Sequence, residues 1–584
     1  MQPHNSQLEP SQPKNRRIFV LVVFCAFLWV ITAGRLFFVQ AIDGRDYLAR
    51  ADNQQQRKFE VPAKRGTIYI HENEELIPIA LNTQVYTLAA DPKFITDSGK
   101  TADQLAAILK QPKNTIQDKL TVKGRYVELS KTVDSDSADA IKKLALPGII
   151  LAQRPARQYP EGELFAQVLG YVNADGKGQY GFEQFANDRL GGKTGQLKTV
   201  TDSLGVPINS AENTLVSPKD GQSYVLTLDR GLQQVAADAI KTAVENNRAE
   251  SGSVIVMDPN SGAIKAMVNY PSFDPNNYAA VKDYSLFQNS SVTKQFEPGS
   301  GFKVITMAAG LDQGKVTPTT QYNDTGEVTF SGKTIKNAEN HKFGIQTMTD
   351  VIQKSLNTGV VFVLEQLGGN PTKITSAGKD MFYNYVQKFG FGKVTGIEQA
   401  GEAPGYVRTP NNSYDVDYAN MTFGQGLSVN SVQMLAAVGA VANGGKLYRP
   451  HIVEGKIDND GTISKEGNYL VNDKVISPEA SAALGQMMIQ VVQHGSGWAT
   501  KIPGYAIAGK TGTAQVPKPN GQGYEENKNI GSFVGFAPVG DPKFIMFVRV
   551  DYPKVPGFAE STTVPAFAVV AKELLRYYHV PPAQ

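Results

Sequence analysis

Three short patterns in this sequence could carry chemistry: S-x-x-K, S-x-N and K-T-G. The first offers a serine nucleophile with a lysine base one helical turn later. The third offers a cation beside small residues that let a substrate approach the backbone. Each pattern recurs, so the surroundings must select the copy that does chemistry. S-x-x-K begins at Ser11, Ser291, Ser300 and Ser376, S-x-N at Ser355 and Ser428, and K-T-G at Lys193 and Lys510.

Ser300 has the surroundings that a nucleophile needs. Glu297-Pro298-Gly299 predicts a turn, and the apolar residues that follow predict a buried helix over 300–311. The i, i+3 spacing then places the Lys303 amine beside the Ser300 hydroxyl, and the helix N-terminus directs N–H groups at developing negative charge. The alternative for any single S-x-x-K is a capping serine beside a surface lysine.

The other three copies have weaker surroundings. Ser11 precedes the apolar N-terminal segment, on the side that we predict to be cytoplasmic. Pro298 would end any helix that begins at Ser291, and Gly378 weakens a helix that begins at Ser376. We therefore predict Ser300 as the nucleophile, with Lys303 as its base.

Of the two S-x-N copies, Ser355-Leu356-Asn357 is the better candidate. Thr358-Gly359 indicates that a helix ends there and turns a polar pair toward a cleft. Ser428-Val429-Asn430 follows a glycine-containing loop and is more typical of the start of the next helix. We predict Ser355 and Asn357 as site residues.

The K-T-G copy at Lys510 also belongs to a second pattern, because Gly504–Thr511 matches the phosphate-loop pattern G-x-x-x-x-G-K-T. A phosphate loop needs a helix directly after its threonine, and Gly512–Pro517 cannot form one. The sequence instead predicts an edge strand over 505–515. On that strand we expect Lys510, Thr511, Gly512 and Thr513 to face a cleft, whereas the copy at Lys193 lies in a glycine-rich stretch and is predicted to be a loop.

An N-terminal apolar segment bears on where this chemistry takes place. Residues 18–39 hold one charge, Arg35, and as a helix would span about 33 Å, enough for one membrane crossing. Lys14, Arg16 and Arg17 precede it, which predicts a cytoplasmic N-terminus. A cleaved signal peptide is the alternative, favoured by the small residues at 32–34. Either way most of the chain is expected outside the cytoplasm, where ATP is not available.

The rest of the pattern predicts an α+β fold. An antiparallel sheet should be built from both ends of one domain, with the helices of residues 300–440 beside it. The predicted strands are 224–228, 254–257, 263–268, 533–536 and 544–550, and the predicted flanking helices are 229–246, capped by Asp229, and 564–578. We divide the chain into a cytoplasmic tail (1–17), a transmembrane helix (18–39), an elongated mixed pedestal domain (40–215) and a catalytic domain (216–584).

Composition excludes several other classes of function. The chain has 584 residues, 41% of them hydrophobic and 19% charged, which predicts a folded protein of several domains. The net charge is only +3, so nucleic-acid binding is not expected. Cys25 is the single cysteine and the six histidines are scattered, so we expect no disulfide, no metal and no cofactor.

The order Ser300, Ser355, Lys510 resembles the penicillin-recognising serine transferases, and nearly the whole chain is similar to class B penicillin-binding proteins. These are the monofunctional D,D-transpeptidases of bacterial cell-wall synthesis. The similar stretches are Arg65-Gly66-Thr67-Ile68-Tyr69, Gly181-Phe182-Glu183, Glu297-Pro298-Gly299, Gly424-Gln425-Gly426 and Ala508–Gln515. Two positions depart from the pattern. Gly301 stands where many relatives carry threonine, and Ala400 stands where proline usually precedes Gly-Glu.

The resemblance implies roles for the predicted residues. Ser300 would attack the D-Ala-D-Ala bond of a stem peptide, with Lys303 as base because burial and the Lys510 cation would keep its amine neutral. Ser355 would relay a proton to the leaving amine. The remaining implied contacts are Asn357 to the peptide amide, Lys510, Thr511 and Thr513 to the terminal carboxylate, and the N–H groups of Ser300 and Thr513 to the oxyanion.

The resemblance also implies ligands and partners, and it leaves alternatives. β-Lactams would react at the same serine, and a multispanning glycosyltransferase would supply the glycan. Septal and lateral wall synthesis both remain open. The alternatives are a β-lactam sensor, a hydrolase, or a silent scaffold of a wall-building complex. A hydrolase would need a group that activates water, and none is identifiable in the sequence. A sensor would need cytoplasmic signalling machinery, and only 17 residues precede the apolar segment. A silent scaffold would be expected to lose one of the three motifs, and all three are intact.

Overall fold

The computed structural model describes residues 15–44, 56–200, 214–330, 332–465, 467–518, 523–555 and 557–582. Ser11, one of the S-x-x-K serines, lies outside the described residues. Contacts divide the chain into a smaller unit, residues 1–63 with 193–219, and a larger unit, residues 64–192 with 220–584. The larger unit therefore draws on both sides of the predicted domain boundary near residue 215.

The smaller unit contains the N-terminal helix and a small sheet. The helix runs over Asn15–Phe37 and continues as a π-helical turn over Phe38–Ile42. Its apolar stretch, Arg16–Ile42, is by length and composition sufficient to cross a membrane. The sheet is antiparallel, in the order Gln56–Val61, Gly195–Val200, Thr214–Val216.

One sheet of the larger unit joins distant parts of the chain. Strand Ser223–Leu226 runs parallel to Ile68–Glu72 and antiparallel to Val453–Ile457. The order is Ile463–Lys465, Val453–Ile457, Ser223–Leu226, Ile68–Glu72, Glu75–Ala90, Val127–Val133, and Ile149–Gln158 also pairs with Glu75–Ala90. Helices Ser98–Leu109, Lys113–Leu120 and Ser135–Lys143 pack on the outer part of this sheet around their own small core.

A second, five-stranded sheet, which we call the catalytic sheet, is antiparallel throughout. Its order is Ile264–Tyr270, Ser251–Met257, Phe544–Asp551, Tyr524–Ala537, Ala508–Pro517. The predicted strands 254–257 and 263–268 pair as one antiparallel hairpin and 533–536 and 544–550 as another, and the strand predicted after Gly504 is also present. We call Ala508–Pro517 the edge strand, because it pairs with a neighbour on one side only.

Helices cover both faces of the catalytic sheet, as alternating side chains show. Val254 and Val256 pack with the helices Arg230–Asn246 and Val564–Tyr577, whereas Ile255 packs with the helical core on the other face. Asp229 caps the first of these helices, as predicted, by accepting a hydrogen bond from Leu232 N at 2.9 Å. The α+β arrangement is confirmed.

The helical core lies on the face of the sheet nearest the predicted site residues. Its main helices are Lys303–Asp312, Met348–Gln353, Asn357–Leu367, Ser376–Lys388, Asp415–Met421, Ser431–Ala442 and Pro478–His494. Two short hairpins, Gln321–Asp324 with Gly344–Thr347 and Glu327–Phe330 with Lys333–Lys336, precede the second and third of these helices.

Candidate active site

Ser300 lies in a tight turn at the start of a buried helix. Residues Gly299–Phe302 form a 3₁₀ turn, and Lys303–Asp312 continue it as an α-helix. The Lys303 side chain is 0% exposed, whereas Ser300 is only partly buried. The predicted helix is present, with a tighter first turn than expected. We call Gly299–Phe302 the nucleophile turn.

Backbone contacts hold the nucleophile turn on two sides. A Cβ atom at Gly299, where φ is +55°, would lie 2.7 Å from the Thr513 carbonyl oxygen of the edge strand. On the other side, Gly299 N donates to Gly424 O at 3.2 Å. A Cβ atom at Gly512 would lie 2.8 Å from the Pro298 carbonyl oxygen. Glycine at these positions therefore lets the edge strand and the 424–426 loop approach the serine closely.

The three motifs meet at the hydroxyl of Ser355. Lys303 Nζ lies 3.1 Å from Ser355 Oγ, and Lys510 Nζ lies 3.0 Å from the same oxygen. Lys303 also donates to the carbonyl oxygen of Ser355, and Lys510 donates to Thr511 O at 3.1 Å. Residues separated by 52 and 155 positions in the sequence thus form one hydrogen-bonded cluster. A hydroxyl between two amines can pass a proton from one to the other.

Burial lowers the pKa values of both lysine amines. Burial and the nearby Lys510 cation hold the pKa of Lys303 well below its ordinary value. Burial also lowers the pKa of Lys510 to about 7, although the Glu560 carboxylate opposes the shift. The lowered pKa of Lys303 favours its neutral, proton-accepting form, and at a pH near 7 part of the Lys510 population remains cationic.

The backbone at Ser355 differs from the predicted helix end. Ser355 has φ +59° and separates the helix Met348–Gln353 from a new helix, Asn357–Leu367. The prediction that a helix ends at Thr358-Gly359 is therefore wrong. A Cβ atom at Gly359 would lie 2.3 Å from Val351 Cγ2, so this glycine permits the close approach of the two helices and does not end one.

Other predicted site residues lie around this cluster and contact the protein. Asn357 Nδ2 donates to Lys336 O at 2.7 Å. The Thr511 hydroxyl lies 2.6 Å from Ser496 Oγ, and Ala559 N donates to Thr513 Oγ1 at 3.4 Å. Sequence reasoning missed Ser496. Its only local signal is the pair of glycines on either side of it.

The rejected S-x-x-K copies lie elsewhere in the fold. Ser291 is fully buried and donates to Asn269 Oδ1 at 3.1 Å, while Lys294 pairs with Asp551 at 2.9 Å. Each side chain of that copy is therefore committed to a structural contact.

The copy at Ser376 also has a structural role. Lys379 pairs with Asp415 at 2.8 Å. The helix Ser376–Lys388 forms despite Gly378, contrary to expectation. A Cβ atom there would lie 2.9 Å from Leu364 O, so the glycine serves close helix packing. Asn430 caps the helix Ser431–Ala442, which confirms the prediction for the second S-x-N copy.

Comparison with known families agrees with this geometry. The model of the penicillin-binding protein transpeptidase domain matches residues 252–575, and that of the penicillin-binding protein dimerisation domain matches residues 60–226. The chain belongs to the penicillin-binding protein transpeptidase family. The cluster at Ser355 and, apart from Ser251, the whole catalytic sheet fall within the first match.

Individual relatives match this chain over most of their own length. Stage V sporulation protein D of Bacillus subtilis is 32% identical over 92% of this chain and 82% of its own. A probable peptidoglycan D,D-transpeptidase of Pseudomonas aeruginosa, PbpC, is 30% identical over 98% and 97%. The structure of penicillin-binding protein 3 of Mycobacterium tuberculosis, complexed with aztreonam, superposes with a TM-score of 0.69 at 25% identity, covering 90% of this chain and 98% of that one.

The proline missing from this penicillin-binding protein at position 400 has a local explanation. Ala400 N donates to Gly181 O at 3.3 Å, a bond that proline could not make. The Glu402 carboxylate also holds the loop, accepting from Thr395 N at 2.7 Å and from Gly396 N at 2.9 Å.

The other departure, Gly301, leads to a stability prediction. A Cβ atom there would meet Met434 Cε at 3.5 Å, an ordinary contact, and Gly301 is not among the residues with positive φ. Gly301→Ala should therefore raise the free energy of unfolding by about 0.5 to 1 kcal/mol, because the unfolded chain loses freedom. Penicillin acylation should stay within about twofold of wild type, since the added methyl group costs no bond. Denaturant unfolding measures the free energy of unfolding, and the kinetics of penicillin labelling measure the acylation rate. Loss of stability would show that the nucleophile turn cannot accept a side chain.

The pKa of Lys510 leads to a pH prediction for the candidate site of this penicillin-binding protein. As pH rises through about 7, the Lys510 ammonium loses its proton and with it the charge that would bind a ligand carboxylate. The second-order rate constant for acylation by a penicillin should therefore fall above pH about 7, because this constant reports groups of the free enzyme. An uncharged ester of the same penicillin should react slowly and without that decline. Stopped-flow labelling at several pH values measures both, and a constant that is flat between about pH 6 and 9 contradicts the assignment.

Proposed function

We propose that this protein is a peptidoglycan D,D-transpeptidase that cross-links stem peptides through an acyl-enzyme on Ser300. The observation that carries the proposal is the cluster at Ser355, where the hydroxyl lies within 3.1 Å of both buried lysine amines. A relative with 30% identity over 98% of the chain is named a probable peptidoglycan D,D-transpeptidase. Family membership and site geometry thus support the same chemistry.

In the first half-reaction, Ser300 Oγ attacks the carbonyl carbon of the penultimate D-Ala, and Lys303 takes the hydroxyl proton. The N–H groups of Ser300 and Thr513 stabilise the oxyanion. The C–N bond then breaks, and Ser355 passes a proton to the leaving amine, so that D-Ala departs and an ester on Ser300 remains.

Binding residues orient the donor peptide for this attack. Lys510 supplies the cation for the terminal carboxylate, and the hydroxyls of Thr511 and Thr513 complete that contact. Gly512 leaves room for the peptide backbone beside the edge strand. Asn357 holds the peptide amide with its side-chain oxygen or its second N–H, because its bond to Lys336 O uses only one N–H.

In the second half-reaction, the amine of another stem peptide attacks the ester carbonyl. The amine loses a proton to the Lys303–Ser355 pair, an amide bond forms, and Ser300 recovers its hydroxyl. A β-lactam acylates the same serine, but its leaving amine stays attached to the adduct. The cross-linking enzyme should therefore be blocked for long periods by penicillins.

The N-terminal helix extends the proposal to the membrane. Arg16 and Arg17 lie in its first turn, before the apolar residues, which supports a cytoplasmic N-terminus and a catalytic domain outside the cell membrane. Residues 41–215 carry no paired-carboxylate motif of a glycosyltransferase. We therefore assign glycan polymerisation to a separate, multispanning glycosyltransferase.

A penicillin chase with the full-length protein in detergent tests the proposal. Intact-mass spectrometry should show an adduct on Ser300 that persists far longer than it takes to form. A D-Ala-D-Ala thioester analogue should then give product that depends on an added amine. An adduct that clears within seconds with repeated turnover would identify a hydrolase. Absence of any adduct would identify a catalytically silent scaffold.

A further inference from the structure

The helix that follows Ser355 lacks a cap from its own sequence. Leu356, the residue before the helix Asn357–Leu367, makes no side-chain bond to the helix N–H groups. These groups are instead satisfied by Asn337, which lies 20 residues earlier than Asn357. Asn337 Oδ1 accepts from Asn357 N at 2.8 Å and from Thr358 N at 3.2 Å. The start of this helix therefore depends on a distant side chain.

A buried carboxylate fixes that cap. Asn337 Nδ2 donates to Asp324 Oδ1 at 2.9 Å, and Thr358 Oγ1 donates to the same oxygen at 2.7 Å. Phe343 N donates to the other oxygen, Oδ2, at 3.1 Å. The three side chains of this network, Asp324, Asn337 and Thr358, are 0%, 4% and 3% exposed.

The network has the features of a rigid support. No lysine, arginine or histidine of the described ranges forms an ion pair with Asp324, so neutral donors and the nearby helix N-terminus stabilise its charge. Burying a carboxylate is costly unless every acceptor position is used. Because Oδ1 and Oδ2 together accept bonds from several segments, Asp324 ties the two short hairpins to the helix start.

Ser355 needs such support, because its backbone is held in a conformation that serine rarely adopts. Its φ of +59° lies in the left-handed region, which persists only where the surroundings impose it. On one side, Leu356 N donates to Val351 O at 3.0 Å. On the other side, Asn337 holds the first two residues of the next helix. These two sets of bonds leave the Ser355 hydroxyl between the amines of Lys303 and Lys510.

We propose that Asp324 and Asn337 are positioning residues of the acyl-transfer reaction. Their buried pair caps the helix Asn357–Leu367 from outside and so holds Ser355 Oγ between the two lysines. Neither side chain contacts the reacting atoms in this scheme. The inference rests on the proposed function, since it assigns Ser355 a part in proton transfer.

The test separates the acylation step from binding. In Asn337→Ala, the rate constant for acylation from the bound penicillin complex should fall about tenfold or more. The dissociation constant of that complex should change less than this rate constant, because the edge strand and its carboxylate-binding residues stay intact and only the contact from Asn357 is disturbed. Rates are expressed per active site by the final adduct stoichiometry, so that a smaller folded fraction does not imitate the effect. Thr329→Ala, on the exposed face of the neighbouring hairpin, is the matched control and should acylate at the wild-type rate.

An exchange of the two side chains tests the bond between them. Asp324→Asn alone should also slow acylation, because in either orientation its NH2 group replaces an acceptor and faces a donor: Asn337 Nδ2 and Gly326 N on one side, or Phe343 N on the other. The double variant Asp324→Asn with Asn337→Asp restores one donor and one acceptor, and it places the carboxylate at the helix N-terminus. It should therefore acylate faster than either single variant. This comparison also serves if Asn337→Ala gives no folded protein.

The outcomes distinguish this inference from the proposed function. A wild-type protein that forms no penicillin adduct contradicts the function itself. With a reactive wild type, the inference is overturned if Asn337→Ala acylates at the wild-type rate, if Thr329→Ala is slowed equally, or if the exchange variant is no faster than the single variants. A selective loss in the acylation step, recovered by the exchange, supports it.

Discussion

Ser300→Ala should abolish covalent labelling by a fluorescent penicillin and leave the fold intact. The substitution removes only the hydroxyl that forms the ester, and alanine suits a helical turn. Labelling should fall below about one thousandth of wild type, since no adduct can form without the nucleophile. Gel fluorescence measures the adduct, and thermal unfolding shows that the protein remains folded.

Ser291→Ala is the matched control, because Ser291 begins an S-x-x-K of its own. It should keep full labelling and lose about 1 kcal/mol of stability with the buried bond to Asn269. If Ser291→Ala lost the label and Ser300→Ala kept it, the choice of nucleophile would be wrong.

Lys303→Met should lower the acylation rate constant by about 10³ without lowering stability. The range for a general base is about 10² to 10⁴, and methionine fills nearly the same volume as lysine. The lost amine is fully buried, and its hydrogen bonds only partly offset the cost of removing it from water. The free energy of unfolding should therefore stay within about 1 kcal/mol of wild type or rise. Stopped-flow acylation and denaturant titration measure the two effects.

Lys294→Met provides the comparison for the second prediction. Lys294 donates to the buried carboxylate of Asp551, so its loss should reduce stability while acylation continues. A Lys303→Met protein that acylates at the wild-type rate would remove Lys303 as the base. A protein too unstable to purify would show that the amine has mainly a structural role.

Much of the catalytic sheet could be predicted from the sequence, because its signals are local. The turn at 259–262 and alternating apolar residues predict one hairpin, and the residues after Gly504 predict a strand where the phosphate-loop pattern would need a helix. The turn before Ser300 and the buried helix after it are equally local signals.

The supports of the site could not be predicted in the same way. The cap on Asn357 comes from Asn337 and Asp324, which no spacing rule connects to a helix start 20 or more residues later. The prediction of a helix end at Gly359 is wrong for a related reason. A glycine that permits close helix packing and one that ends a helix look alike until the neighbouring helix is known. Ser496, which contacts Thr511, likewise carries no signal of its own.

The strand order of the catalytic sheet constrains when the enzyme can become active during synthesis. Phe544–Asp551 is the last strand along the chain, yet it lies in the middle of the sheet, between Ser251–Met257 and Tyr524–Ala537. Until the ribosome has released that strand, the edge strand with Lys510 has no sheet connection to the first hairpin. Pairing Phe544–Asp551 with Ser251–Met257 closes a loop of more than about 200 residues, and contacts between residues so far apart in the sequence form slowly. A nascent chain therefore carries Ser300 for much of its synthesis without a second lysine to complete the site, and we expect it to react with a penicillin only after almost the whole protein has been made.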